Sequence, residues 1–288
     1  MNTHPSQLTI GFSPCPNDCF IFDALIHHKI DTEGISFEVY LEDVETLNKR
    51  AFSALNENST SSLHITKLSY HAYAYLTAPY VLLDSGSALG NNCGPLLISK
   101  NTLTETDLLN AHIAIPGKYT TANFLCSWAF PKAQKKTEIV FSEIENAVLS
   151  GAVDAGLIIH ENRFTYEAKG LKKIIDLGEF WESKTAMPIP LGGIVVNRNL
   201  PLELKIKVNR LIQKSIAYAF EHPNSSVDYV AQHAQEMSEE VRNKHINLYV
   251  TKYSLNLGEK GRAAVELLFQ QAQELEIISK IDKPLFLS

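Results

Sequence analysis

The sequence predicts a two-lobed α/β protein, on three observations. Short apolar, β-rich runs alternate with segments whose apolar residues recur every three to four positions. The alternation breaks at "DSGSALGNNCGP" (84–95), too rich in Gly, Asn and Ser for a regular element, and then resumes as a second series. A last strand-like run is followed by a long helical tail. Alternation of this kind predicts mostly parallel sheets covered by helices, and two series joined irregularly fit two lobes with a cleft between them.

In the first series, "LTIGF" reads as a strand and "NDCFIFDALIHHK" as a helix capped by Asn17 or Asp18, with Phe20, Ile21, Ala24 and Leu25 sharing a face. "ISFEVYL" alternates as a strand, and "DVETLNKRAF" is a helix with Asp43 near its start. "LHITKL" and "YVLLD" follow as strands. In the second series, "AHIAIPG", "EIVF" and "AGLIIH" read as strands, with helices over "TTANFLCSWAF" and "SEIENAVLSGA". "LGGIVVN" is one more strand, and the tail contains "LELKIKVNRLIQKSIAYAFEH" and "KGRAAVELLFQQAQELEI". The expected division is a larger lobe of residues 1–97 plus 193–288 and a smaller lobe of 98–192, so that the chain crosses the hinge twice.

The chain has 288 residues, 45% hydrophobic and 20% charged, as expected of a globular protein that builds its own cores. A net charge of −6 argues against a nucleic-acid partner, while leaving room for a local site that receives a small anion. No secretory segment and no apolar run of membrane-spanning length is present, so a cytoplasmic protein with no membrane partner is expected. Cys15, Cys19, Cys93 and Cys126 form no C-x-x-C pair and read as reduced thiols.

Four places at strand ends could carry chemistry. In "GFSPCPND" two prolines stiffen the turn, leaving Ser13 and Asn17 as polar contacts on a pocket wall, or merely a rigid connection. In "HITKLSYHAY", Lys67 and Ser69 are either a carboxylate site at a helix start or a solvated face. In "IPGKYTTANF", Thr120 and Thr121 stand at a helix N-terminus; an ordinary N-cap explains one threonine better than two. The fourth is His160, which follows Leu157, Ile158 and Ile159 and precedes Glu161, Asn162 and Arg163. A core histidine is the plain alternative, but desolvation by the preceding apolar run favours the neutral base form. No zinc spacing, nucleotide fingerprint or nucleophile elbow is present, so neither metal nor cofactor is expected.

The blocks "GFSPCPNDCFIFDAL", "LEDVETLN", "TKLSYHAY", "ALGNNCGPL", "PGKYTTANFL", "GLIIHENRFTY" and "PLGGIVVNR", in this order over nearly the whole chain, closely resemble the 1,4-dihydroxy-6-naphthoate synthase family of the futalosine route to menaquinone. That resemblance implies the type II fold of periplasmic solute-binding proteins. It also implies a carbon–carbon lyase acting on cyclic dehypoxanthinylfutalosine, a carboxylate substrate. By the same resemblance His160 is the proton acceptor, and Lys67, Leu68, Ser69, Thr120 and Thr121 bind substrate. Two other readings keep the fold: a solute-binding module without catalysis, and an enzyme like the pathway's chorismate dehydratase.

Overall fold

The structure, a computed structural model, describes residues 7–56, 60–234 and 238–287. In chain order its strands are β1 (Gln7–Phe12), β2 (Ser36–Leu41), β3 (Ile65–Ser69), β4 (Tyr80–Leu82), β5 (Ala88–Gly90), β6 (Leu96–Ser99), β7 (Ile113–Ile115), β8 (Lys136–Glu138), β9 (Ala155–Ile158), β10 (Lys172–Asp176) and β11 (Ile189–Asn197). One sheet has the order β2-β1-β3-β11-β4, with β5 also paired to β11; the other runs β10-β6-β9-β7-β8. Each sheet is the centre of one lobe.

The sheets are mixed rather than mostly parallel. β1 pairs in parallel with β2 and β3, and β7 with β8 and β9. β11, however, runs antiparallel to β3, β4 and β5, and β6 runs antiparallel to β9 and β10. These reversals occur where the chain enters the second sheet, at β6, and leaves it for the first, at β11.

Four local expectations need correction. The first helix, Pro16–Ile26, is not capped by Asn17 or Asp18: its N-cap is Cys15, Pro16 occupies the first turn, and Asn17 and Asp18 lie inside it with their side chains turned elsewhere. Nor does this helix have one buried face, since every residue from Pro16 to Leu25 is buried. The sheet lies on one side of it and the helix Leu202–Glu221 on the other, where the Ser215 hydroxyl accepts from Leu25 N–H and donates to the Ile21 carbonyl. The strand expected over "EIVF" is instead Lys136–Glu138, because Phe141 already belongs to a 3₁₀ turn. Finally, β6 and β10 were not anticipated: "LLIS" is only four residues long, and "KKIID" opens on two lysines that hide its apolar end.

A fifth correction is that the stretch 84–95, expected to hold no regular element, contains the short strand β5, paired to β11. Elsewhere local expectations hold. Asp43 caps the helix Val44–Ala51 by accepting from Glu45 and Thr46 N–H, and all four cysteines are free and buried. The helical tail packs largely against the first sheet. Phe269 of the helix Gly258–Glu274 meets Tyr70 and Tyr73, while Leu211, Ile212 and Ile216 join the core built around β1 and the first helix.

Where the chain passes between sheets, backbone meets backbone. A methyl group on Gly94 would come within 2.0 Å of Gly178 N and 2.3 Å of Gly178 Cα. No rotamer relieves a clash with main chain, so the approach of the helix Leu177–Thr185 depends on this glycine. Gly94→Ala is expected to destabilise the fold by about 1–3 kcal/mol, read as a lower midpoint in thermal denaturation. An unchanged midpoint would mean the two segments separate at no cost.

Candidate active site

A cleft between the sheets encloses about 650 Å³ of space not filled by protein atoms, part of it open to solvent. It lies beyond the carboxyl ends of the parallel strands β1, β3, β7 and β9, where loops lead into helices. Its walls include Ser13, Asn17, Lys67, Ser69, Thr120, Thr121 and His160. All the residues expected at the site therefore meet here except Leu68. Side chains alternate along a strand, so Lys67 and Ser69 face the cleft while Leu68 points into the core, fully buried.

Asp18 organises one wall. Its Oδ2 accepts from Ser13 N–H (3.2 Å) and Ser13 Oγ (2.7 Å). Its Oδ1 accepts from Asn17 Nδ2 (2.8 Å) and Lys67 Nζ (2.9 Å). The Lys67 ammonium is thus neutralised inside the protein; it also reaches the Gly86 carbonyl at 3.4 Å, which leaves one of its three donors for a ligand.

The facing wall begins at Pro116-Gly117. Thr120 caps the helix Thr121–Ala129, its Oγ1 accepting from Asn123 N–H and donating to the Gly117 carbonyl. Thr121 Oγ1 donates to the Leu191 carbonyl (2.7 Å) and accepts from His71 N–H (3.3 Å). Both hydroxyl protons serve the scaffold. What this wall offers an anion is therefore the first N–H groups of the helix, which have no partner within it.

His160 closes one end of the cleft. It follows β9 with φ +59°, a left-handed conformation that costs a non-glycine residue of order 1–2 kcal/mol. The strain is held by its neighbours: Arg163 donates to the Gly94 carbonyl (2.7 Å) and pairs with Asp176 (2.9 Å), and Asn162 donates to Glu145. Burial lowers the His160 pKa to about 4, helped by the Lys67 charge and opposed by Asp18, so the imidazole is a neutral base at physiological pH.

Behind His160 stands a residue that the sequence did not point to. His245, fully buried on the helix Glu239–Tyr249, stacks with the His160 ring at 6.0 Å, and its Nε2 lies 2.8 Å from Asn17 Oδ1. Eighty-odd positions separate the two histidines, and nothing local in "EEVRNKHINLY" marks one of its residues as reaching the cleft. Asp18 was singled out only as a cap, and Cys93 and Tyr249, which also line the cleft, were not anticipated there. Cys15 and Cys19 do not line it.

Ligand atoms of Cys15, His160 and Glu161 lie within 4.8 Å of one another. The donor types would suit a thiophilic cation, but burial and then the Glu161 charge push the Cys15 thiol well above its usual range.

The lobes touch across the cleft mouth. Glu45 of the first lobe accepts from Tyr119 N–H (3.1 Å), packs over Gly117 and is pushed to a higher pKa by burial. Lys49 pairs with Glu138 (2.6 Å), and the Phe52 and Tyr119 rings meet at 4.4 Å. The two lobes are thus in contact beside the cleft.

Residues 8–274 match the profile of a family described as "Menaquinone biosynthesis". The chain belongs to that family. It is 43% identical to a 1,4-dihydroxy-6-naphthoate synthase of Thermus thermophilus, over 97% of this chain and 98% of the relative. It is 39% identical to a synthase of the same name from Streptomyces coelicolor, over 92% of each. Among solved structures, AF1704 from Archaeoglobus fulgidus superposes with a TM-score of 0.88 at 34% identity, covering 96% of this chain and 100% of that one. The alkanesulfonate-binding protein SsuA from Xanthomonas axonopodis pv. citri superposes with a TM-score of 0.68 at 13% identity, covering 96% of each chain, which shows the periplasmic-binding-protein-like fold alone. This family member is thus an enzyme of menaquinone biosynthesis built on a solute-binding fold. Among the described residues no helix is long and apolar enough to cross a membrane.

The buried histidines give the protein an acid-sensitive fold. Burial lowers His71 and His160 to about 4, and it holds His245 well below its ordinary value. The unfolded chain titrates near 6.5 and so binds more protons between about pH 6.5 and 4; stability must fall as pH drops through that window. Chemical denaturation at pH 5 is expected to show a loss of about 1–2 kcal/mol per buried histidine relative to pH 7, and His71→Asn should shrink it. Equal stabilities at the two pH values would mean these rings accept protons in place.

Proposed function

We propose that the protein is a carbon–carbon lyase that converts cyclic dehypoxanthinylfutalosine to 1,4-dihydroxy-6-naphthoate, with His160 as general base. The observation that carries this reading is a histidine that burial holds toward its neutral form at one end of the cleft, with a helix N-terminus lining the same cleft beyond the neighbouring strand β7. His160 removes a proton from the bound bicycle, the sugar-derived fragment leaves as a small carbonyl compound, and aromatisation of the ring system drives the reaction. The substrate carboxylate or hydroxyls are received by the N–H groups at Thr121 and Ala122 and by the remaining donor of Lys67. Closure of the lobes keeps water from the base and holds the ring in place.

His160→Asn is expected to lower turnover by at least about 10²-fold, the lower end of what general-base catalysis supplies, while substrate affinity stays within about tenfold of the parent. Retained activity would remove the base assignment, and tight binding by the parent protein without product would make it a receptor-like module. Because the His160 base form persists down to about pH 4, kcat/KM should not fall through its protonation until the pH approaches that value. A limb near pH 6.5 would mean the ring is solvated in the working enzyme.

Thr120→Ala and Thr121→Ala should act mainly on KM, because each loosens the turn that aims the helix N–H groups. The cap lost in Thr120→Ala should also cost about 1 kcal/mol of stability. An unchanged KM in both variants would move the anion site elsewhere in the cleft.

A further inference from the structure

Of the serine and threonine hydroxyls that line the cleft, three have given their hydrogen to the protein: Ser13 to Asp18, Thr120 to the Gly117 carbonyl and Thr121 to the Leu191 carbonyl. Ser69 differs because of Asn48, a wholly buried residue of the helix Val44–Ala51. Asn48 Oδ1 lies 3.0 Å from Ser69 N, and a backbone N–H only donates, so the orientation of the amide is fixed. Nδ2 must then be the donor at its two other contacts, Glu45 Oε2 (3.0 Å) and Ser69 Oγ (3.1 Å). An amide nitrogen does not accept, so Ser69 Oγ accepts there and keeps its own hydrogen. Among the described residues no group receives that hydrogen, and Ser69 stands in the cleft wall.

We infer that Asn48 is a positioning residue that commits the Ser69 hydroxyl to donate into the cleft, so that the ligand must present an oxygen acceptor at that point. The direction of the hydrogen follows from the contacts alone; its use on a carboxylate or hydroxyl of the substrate rests on the reaction proposed above. Ser69 then supplies a donor from the first lobe beside Lys67, while the second lobe supplies the helix N–H groups. A ligand with an apolar group facing Ser69 would leave the hydroxyl without an acceptor, a cost beyond that of a poorer fit.

Glu45 holds this arrangement from behind and ties it to the second lobe. Its Oε1 accepts from Tyr119 N–H (3.1 Å) while its Oε2 accepts from Asn48. One buried carboxylate thus meets a donor from each lobe, and the lobe contact that engages Tyr119 also keeps Glu45 against Asn48. Lys49 does not compete for it: its Nζ is 4.0 Å from Glu45 Oε1 and pairs with Glu138 at 2.6 Å.

The test exchanges acid and amide, combining Glu45→Gln with Asn48→Asp in the whole protein. The new glutamine can accept from Tyr119 N–H and donate to the new aspartate, which still accepts from Ser69 N–H, and net charge is unchanged. One bond reverses: an oxygen now faces Ser69 Oγ, so the hydroxyl turns its hydrogen to it and away from the ligand. The thermal midpoint should stay close to the parent's. KM for cyclic dehypoxanthinylfutalosine should rise about tenfold or more, as for loss of a hydrogen bond to a charged oxygen, with kcat changed far less. Ser69→Ala should raise KM by a like factor in the parent and add nothing in the exchanged background, a dependence that a merely structural Asn48 would not produce. An unraised KM in the exchange, or equal effects of Ser69→Ala in both backgrounds, overturns the inference. A second readout needs neither turnover nor a folded exchange variant: ¹H–¹⁵N spectra of the side-chain amides in protein labelled at asparagine with ¹³C and ¹⁵N, Asn48 being assigned through bonds. Ser69→Ala should shift the Asn48 amide proton bonded to Ser69 and leave the one bonded to Glu45 nearly in place; two unmoved signals overturn the contact. Failure of the parent protein to form the naphthoate would sink the proposed reaction and leave these spectra to decide the direction of the Ser69 hydrogen.

Discussion

The cleft depends on one buried carboxylate. Asp18 is almost wholly out of water and remains there because donors from three places converge on it: Ser13 from the turn after β1, Asn17 from the first helix, and Lys67 from β3. A buried charge with fewer partners would cost several kcal/mol. The turn, the helix and the strand are therefore fixed relative to one another by a single electrostatic requirement. Asn17, oriented by Asp18, then fixes the ring of His245, and His245 stacks behind His160. The position of the candidate base in the second lobe is thus tied through a helix of the C-terminal tail to an ion pair in the first.

That chain of contacts explains the rigid turn in "SPCPND". Two prolines limit the conformations of the segment that delivers Ser13 and Asp18 to the same point, so less entropy is lost on ordering it. The helix behind it has no solvent face because it is enclosed between its sheet and the tail helices. A residue at its first turn cannot move without disturbing both. The solute-binding architecture brings strand ends together; this buried network converts the cleft between them into a site with a defined protonation state.

What the sequence discloses follows from how local each signal is. Thr120 and Thr121 announce themselves because a glycine turn and a helix start are short-range features, and His160 because an apolar run ends abruptly on it. The alternation of a strand also separates Lys67 and Ser69 from Leu68 once the strand is known. His245 is not legible, because its meaning lies in Asn17 and His160, which come from other elements far away in the chain. β6 and β10 escape for a similar reason: pairing with distant segments, β6 between β9 and β10 and β10 at the edge against β6, rather than their own four or five residues, makes them strands. The cap misassigned to Asn17 and Asp18 shows the reverse error. Both residues suit a helix start by type, but a buried lysine and a buried histidine compete for them more strongly than the backbone does.

Charge balance shapes what the cleft can receive. Lys67 enters the wall already neutralised, the threonine hydroxyls are bound to carbonyls, and His160 is uncharged. An anionic ligand therefore meets oriented N–H dipoles rather than a free cation. Dipoles fixed by the fold need little reorganisation when charge shifts during a reaction, whereas a mobile lysine could follow the charge and protonate it. As the proposed base, a neutral His160 also avoids the ion pair that an imidazolium would form with a carboxylate ligand. Such a pair would tighten binding of the starting state and remove the lone pair on which proton abstraction depends.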